Sequence, residues 1–151
     1  KTAAALLRAG ADIIIGSHPH VVQPVTAEAD SSGIENPVVW SMGNFVSNQR
    51  TRRRDGGLMI RLDIAADRKA PVITDAGYIL TWVYTPVENG KERFYILPCA
   101  EFEKKPEFFR SPDDYNTMMV YIRDARRLLD THGKGFREMT LTDGKWTGVE
   151  R

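Results

Sequence analysis

Cysteine is almost absent from this 151-residue chain, with Cys99 the single example. One thiol excludes an internal disulfide and any zinc module built on several cysteines, and leaves the compartment open. Charge of one sign is also missing: 21 lysines and arginines face 20 acidic residues, a formal net charge of +1. That balance gives no electrostatic case for nucleic acid as a partner of the whole chain. No apolar run approaches the roughly 18 residues of a membrane-crossing helix. Repeats, low-complexity tracts, linkers and a recognisable signal peptide are lacking too. What is present is ordinary for a globular domain, 42% hydrophobic and 27% charged, and the length suits one domain.

The first residues read as a helix already under way. Thr2-Ala3-Ala4-Ala5-Leu6-Leu7-Arg8-Ala9 is rich in helix formers and Gly10 is placed to end it, but no capping residue precedes it. The expectation is that residues 1–151 are one domain and form the C-terminal part of a larger one. A short αβ connection of this kind also implies an earlier parallel strand.

Ala11-Asp12-Ile13-Ile14-Ile15 follows, and three consecutive isoleucines predict a strand over residues 11–16 buried on both faces. It runs into Gly16-Ser17-His18-Pro19-His20. The carboxyl ends of strands in open α/β sheets are where ligands and metals sit. Imidazole is a good ligand for several transition metals, and a proline between two histidines stiffens the loop that carries them. The alternative is a loop histidine pair that binds nothing.

Further along, Val21–Val25 reads as a short extended piece ending near Pro24, and Asp30–Gly33 as a turn. Pro37–Ser41 is strand-like, and Met42–Val46 continues extended after a glycine bend. Arg50 to Gly57 is polar and flexible in character. Leu58 to Ile64 alternates with period two, the pattern of a half-buried strand. Val72–Tyr84 is a long strand with Gly77 a candidate bulge. Asn89-Gly90 predicts a hairpin folding Leu80–Tyr84 against Arg93–Leu97. Ser111-Pro112-Asp113-Asp114 opens a second helix whose apolar stripe runs through Tyr115, Met118, Met119, Ile122, Ala125, Leu128 and Leu129, closed by His132-Gly133. Asp143-Gly144 predicts a small terminal hairpin around Leu141 and Trp146. The pattern as a whole is α/β: a mixed β-sheet with flanking helices and an antiparallel hairpin extension.

Two blocks carry a resemblance. Gly10-Ala11-Asp12-Ile13-Ile14-Ile15-Gly16-Ser17-His18-Pro19-His20-Val21-Val22-Gln23-Pro24 resembles the hallmark of the CapA family of poly-γ-glutamate capsule biosynthesis proteins, and Trp40-Ser41-Met42-Gly43-Asn44-Phe45-Val46 matches it in type and spacing. The family is similar in fold to the calcineurin-like metallophosphoesterases, a four-layer sandwich that holds two divalent metal ions at strand ends. His18 and His20 match the last metal-binding motif of that superfamily. Its earlier motifs, an Asp-X-His, a bridging aspartate and an Asn-His pair, lie upstream in such proteins and are not in this chain. The segment is thus half of a site, with inactivity and weak metal binding expected of it in isolation.

The resemblance implies two functions of different kinds. One is metal-dependent hydrolysis of, or transfer at, a phosphoryl-type group. The other is a non-catalytic polyanion-binding or assembly role in capsule or cell-surface polymer synthesis, alongside other capsule synthesis components. Either implies the cell envelope, outside the cytoplasm and membrane-associated in the full-length protein. Ser17, Asn44 and Arg50 are the candidate substrate-binding residues. Asn44 offers hydrogen bonds to a substrate oxygen, or instead ties its own loop together. Arg50, Arg52, Arg53 and Arg54 suit a phosphorylated substrate or an anionic polymer such as polyglutamate, or else form an ordinary solvated loop. Nucleic acid is not expected as a partner, because no aromatic stacking platform accompanies the arginines.

Overall fold

A computed structural model describes residues 2–66 and 70–150. In chain order the elements are α1 (Thr2–Arg8), β1 (Ile14–Ile15), β2 (Val25–Ala29), β3 (Ile34–Val39), β4 (Gly56–Ala65), β5 (Val72–Tyr84), β6 (Val87–Glu88), β7 (Lys91–Glu92), β8 (Tyr95–Pro98), α2 (Cys99–Phe102), a short 3-10 turn (Pro106–Phe108), α3 (Pro112–His132), β9 (Arg137–Thr142) and β10 (Lys145–Gly148). Eight of the strands form one mixed sheet, and β6 and β7 pair separately. β1 runs parallel to β3 and β9 parallel to β5, while β2–β3, β4–β5 and β5–β8 are antiparallel. The architecture is α/β, a mixed sheet flanked by helices.

β5 is the spine of this sheet. β-branched and aromatic residues fill it, and the nine residues from Ala76 to Tyr84 are all buried. Tyr78, Leu80, Trp82 and Tyr84 alternate onto the face that meets Met118, Tyr121, Ile122, Ala125 and Leu129 of α3. Fully burying side chains of this size stabilises by about 1.5–3 kcal/mol each, so this layer dominates the core. The helix starts and stops where its sequence says. Ser111 Oγ accepts from the Asp114 N–H at 3.2 Å, Pro112 takes the first turn, and the Gly133 N–H donates to Leu129 at the other end. Its buried stripe includes Tyr121, whose hydroxyl donates to the Gly57 carbonyl at 3.1 Å and so joins the helix to β4.

Asn89 and Gly90 have φ of 50° and 74°, the left-handed pair that a two-residue hairpin requires. The hairpin sets Trp82 opposite Leu97 and Tyr84 opposite Tyr95, in line with the expectation. Asp143 and Gly144 repeat the arrangement in the terminal hairpin, where Trp146 faces Leu141.

Two expectations change. Gly77 is not a bulge: the pairing with β4 runs through it in register opposite Arg61, and the irregularity falls between Asp63 and Ile64. Its lack of a side chain serves Met139 instead, whose sulfur would lie 2.1 Å from a Cβ at position 77. The isoleucine strand is also not buried on both faces. β1 keeps only Ile14 and Ile15 in the ladder, and Ile15 is 47% exposed. Among the described residues the strand is paired on one side only. β3 is that partner, and α1 buries only Ala3.

Polar groups close the far side of the core. Arg126 of α3 donates to both Glu103 oxygens, at 2.6 and 3.0 Å, and to both Glu138 oxygens at 2.8 Å. Burial opposes the guanidinium charge, yet the hydrogen bonds and charges of Glu138 and Glu103 outweigh it and hold the Arg126 pKa above its ordinary value. The Glu138 side chain is almost fully enclosed, so removing Arg126 takes two charged hydrogen bonds from a buried carboxylate. Arg126→Leu is expected to lower stability by about 3 kcal/mol or more in urea unfolding. A loss below about 1 kcal/mol would show that solvent reaches Glu138 freely.

Candidate functional site

Three backbone segments meet at the carboxyl end of β1. The Gly16 N–H donates to the Val39 carbonyl at 2.6 Å, Met42 donates back to Gly16, Asn44 to Gly56 at 3.0 Å, and Leu58 to Met42 at 2.8 Å. Side chains would keep them apart. A Cβ at Gly16 would lie 2.2 Å from the Trp40 oxygen, and one at Gly57 would lie 2.7 Å from the Asn44 and Met42 oxygens. Glycine at these two places therefore lets the histidine loop, the Gly-Asn-Phe bend and the start of β4 share one corner.

The histidines are held in a costly backbone. His18 has φ of 96° and His20 φ of 60°, both in the left-handed region, with Pro19 between them. For a residue with a Cβ this costs roughly 1–2 kcal/mol, and such strain persists only where the surroundings impose it. The two rings end up 6.5 Å apart, centroid to centroid, inclined by 42°. An ion about 2.1 Å from a ring nitrogen sits about 3.2 Å from that ring's centroid. Rings at this separation share one ion only in a nearly linear arrangement, and serve two neighbouring ions or a tetrahedral ion after a change of rotamer.

Asn44 decides how one ring is presented. Its side chain is 93% buried, and its amide nitrogen donates to the Arg54 carbonyl at 2.7 Å and to Gln49 Oε1 at 3.4 Å. A backbone carbonyl can only accept, so the amide oxygen must point the other way. There it lies 2.8 Å from His20 Nδ1, which therefore carries the proton and donates. In the neutral ring the lone pair is then on Nε2, the arrangement seen in metal-ligating histidines whose other nitrogen is tied to an oxygen. Asn44 fulfils the loop-tying reading through Arg54 and orients His20 in the same act.

The other expected site residues fall differently. Ser17 is exposed beside the histidines and its side chain makes no hydrogen bond among the described residues. Arg50 lies with its guanidinium 5.4 Å from the centre of the Trp82 ring, and burial there lowers its pKa despite the opposing pull of Asp55. It makes no hydrogen bond to either histidine. Arg52 donates to Asp124 of α3 from Nε at 2.8 Å and from Nη2 at 2.7 Å, and Arg53 lies 3.5 Å from the same oxygen. The arginine segment is thus anchored to α3 and the core, where its sequence suggested a free loop. Asp124 and Asp55 were not foreseen as parts of this region. Both act through partners distant in sequence, for which no local pattern exists.

His18 and His20 supply two nitrogen donors, and no group of three or more His, Cys, Asp or Glu side chains suited to a metal occurs among the described residues. No helix among them is long and apolar enough to cross a membrane.

Comparison with known proteins finds a family match over the segment that contains this corner. The family model for the bacterial capsule synthesis protein PGA_cap matches residues 1–49, which contain both histidines and Asn44. The chain is 45% identical over 107 residues, 70% of its length, to the PGA biosynthesis protein CapA of Bacillus subtilis (strain 168). It is 45% identical over 58 residues, 38% of its length, to the capsule biosynthesis protein CapA of Bacillus anthracis. These matches span 21% and 13% of the two relatives. No solved structure matches the chain significantly. These matches support assignment of the chain to the CapA family of capsule synthesis proteins.

The strain at position 18 gives a direct test. His18 makes no side-chain hydrogen bond among the described residues, so replacing it by glycine removes the left-handed penalty at little other cost. His18→Gly is expected to raise the unfolding free energy by about 1 kcal/mol relative to His18→Ala. Equal stability of the two variants would mean that the loop relaxes out of this conformation once the ring is gone.

Proposed function

We propose that the full-length protein acts in capsule polymer synthesis at the cell envelope, and that His18 and His20 are metal ligands of a site for hydrolysis or transfer at a phosphoryl-type group. The observation that carries this reading is the fixed orientation of His20. A loop that served only to turn the chain would need neither the left-handed histidines nor a buried amide aimed at one ring.

The donor set fits part of a metal site. Two neutral imidazoles suit a borderline divalent ion, and the remaining donors, a bridging carboxylate among them, would come from parts of the full-length protein beyond the described residues. Divalent ions bound there supply two things: they polarise a phosphoryl oxygen and make hydroxide available near neutral pH. The residues of this chain have narrower tasks. His20 presents Nε2 because Asn44 holds its other nitrogen. Asn44 stays put because Arg54 leaves it one orientation. Ser17, exposed one residue before His18, can donate a hydrogen bond to a bound oxygen.

Metal analysis of the full-length protein tests the assignment. His18→Ala and His20→Ala are expected to lose at least one bound ion per molecule. Asn44→Leu, which keeps the branched shape and removes the hydrogen bonds to His20 and Arg54, is expected to weaken metal affinity by about 10- to 100-fold. Wild-type metal content in all three variants would leave the non-catalytic assembly role as the better reading.

A further inference from the structure

Between the arginine segment and α3 lies an open groove of about 640 Å3. Its floor is apolar, formed by Val21, Val22, Ala125 and Leu128, and its walls carry Arg52, Arg53, Arg127 and Asp124. Val21 directly follows His20, so the groove begins where the histidine corner ends.

The charges in this groove do not balance. Arg52 and Arg53 both turn to one oxygen of Asp124, and Arg123 lies 3.9 Å from the other. Arg127, one residue further round the helix from Arg126, is exposed and has no ion pair among the described residues. Three guanidiniums thus share one carboxylate, and Arg127 lines the same groove. Nor is the Arg52 pair in its strongest form. An arginine fork binds best with two donors on two oxygens, whereas Arg52 spends Nε and Nη2 on the same one. Burial opposes ionisation of Asp124, but Arg52 and Arg53 outweigh it and hold its pKa below the ordinary value. Asp124 is only 13% exposed, while Arg52 and Arg53 are 61% and 67% exposed and free to turn toward a solute.

We propose that this groove is an oxyanion site, taking a carboxylate or phosphate group carried on an apolar body, and that Asp124 occupies its guanidiniums when it is empty. An entering anion finds the unused donors of Arg52, Arg53 and Arg127 at the rim, and its apolar part covers Val22 and Leu128. Asp124 is then a competitor built into the fold. It keeps the arginines in place without a ligand and sets a threshold that anions lacking an apolar body do not pass. The site stands on this groove and not on the metal reading.

The test is calorimetric titration of the full-length protein at low and at physiological salt, with inorganic phosphate, hexyl phosphate, acetate and hexanoate as probes. Arg127→Gln is on an exposed helix face and leaves the fold untouched, and it should weaken binding about fivefold, the factor equivalent to roughly 1 kcal/mol. Asp124→Asn should strengthen binding by a similar factor, an effect that a merely structural aspartate would not produce. Metal content of both variants stays at the wild-type level, so failure here and failure of the metal assignment are seen separately. Hexyl phosphate as the tightest probe assigns the site to phosphorylated ligands, and hexanoate assigns it to carboxylates. No binding of either at low salt overturns the proposal, as does unchanged affinity in Asp124→Asn or equal affinity for tailed and untailed anions.

Discussion

The indole N–H of Trp82 is buried near the carboxyl end of β5 and must find an acceptor there. It finds Asp55, whose Oδ2 lies 2.8 Å away, while the Asp55 carbonyl accepts from the Val83 N–H. An unpaired polar group at such depth costs about 1–3 kcal/mol, so this contact fixes the end of the arginine segment against the core. The site follows from it in steps. With Asp55 fixed, the Arg54 carbonyl is fixed. That carbonyl orients the Asn44 amide, and the amide orients His20. A side chain in the hydrophobic core thereby determines which nitrogen an exposed histidine shows to solvent.

The same contact explains a conspicuous polar orphan. Asp55 Oδ1 has no hydrogen-bond partner among the described residues, although the residue is 97% buried. Arg50 stands above the Trp82 ring and contributes a positive potential felt by Asp55 from outside the core. The cation lies over the face of the indole and the carboxylate at its N–H edge. This arrangement joins the arginine segment to β5 more firmly than composition alone would suggest, since neither the polar run nor the buried strand contains the pairing information.

Charge in this molecule is sorted by α3. On one side of the helix Arg126 is fully engaged by Glu103 and Glu138 and serves the fold. One residue along, Arg127 faces the groove with no ion pair among the described residues, and Asp124, one turn earlier, restrains Arg52 and Arg53. Neighbouring residues on a helix are separated by about 100°, so adjacent arginines can belong to different surfaces with different duties. The net charge near zero conceals this local excess.

The sequence by itself determined much that is local. The caps of α3, the Asn89-Gly90 and Asp143-Gly144 turns, the long strand Val72–Tyr84 and the α/β class were all legible, because each depends on residues within a few positions of one another. The two family blocks drew attention to His18, His20 and Asn44, and the family match covers all three positions. Tertiary structure alone decided the rest. That Asn44 orients His20 spans 24 residues, that Arg52 meets Asp124 spans 72, and that Trp82 anchors Asp55 spans 27. The burial of the isoleucine strand was misjudged for the same reason. An apolar run records a preference for burial, but what lies against it depends on strand order, and among the described residues β1 is paired on one side only. Gly77 is the reverse case: its meaning was set by Met139, sixty-two positions away, through a close approach that only the assembled sheet creates.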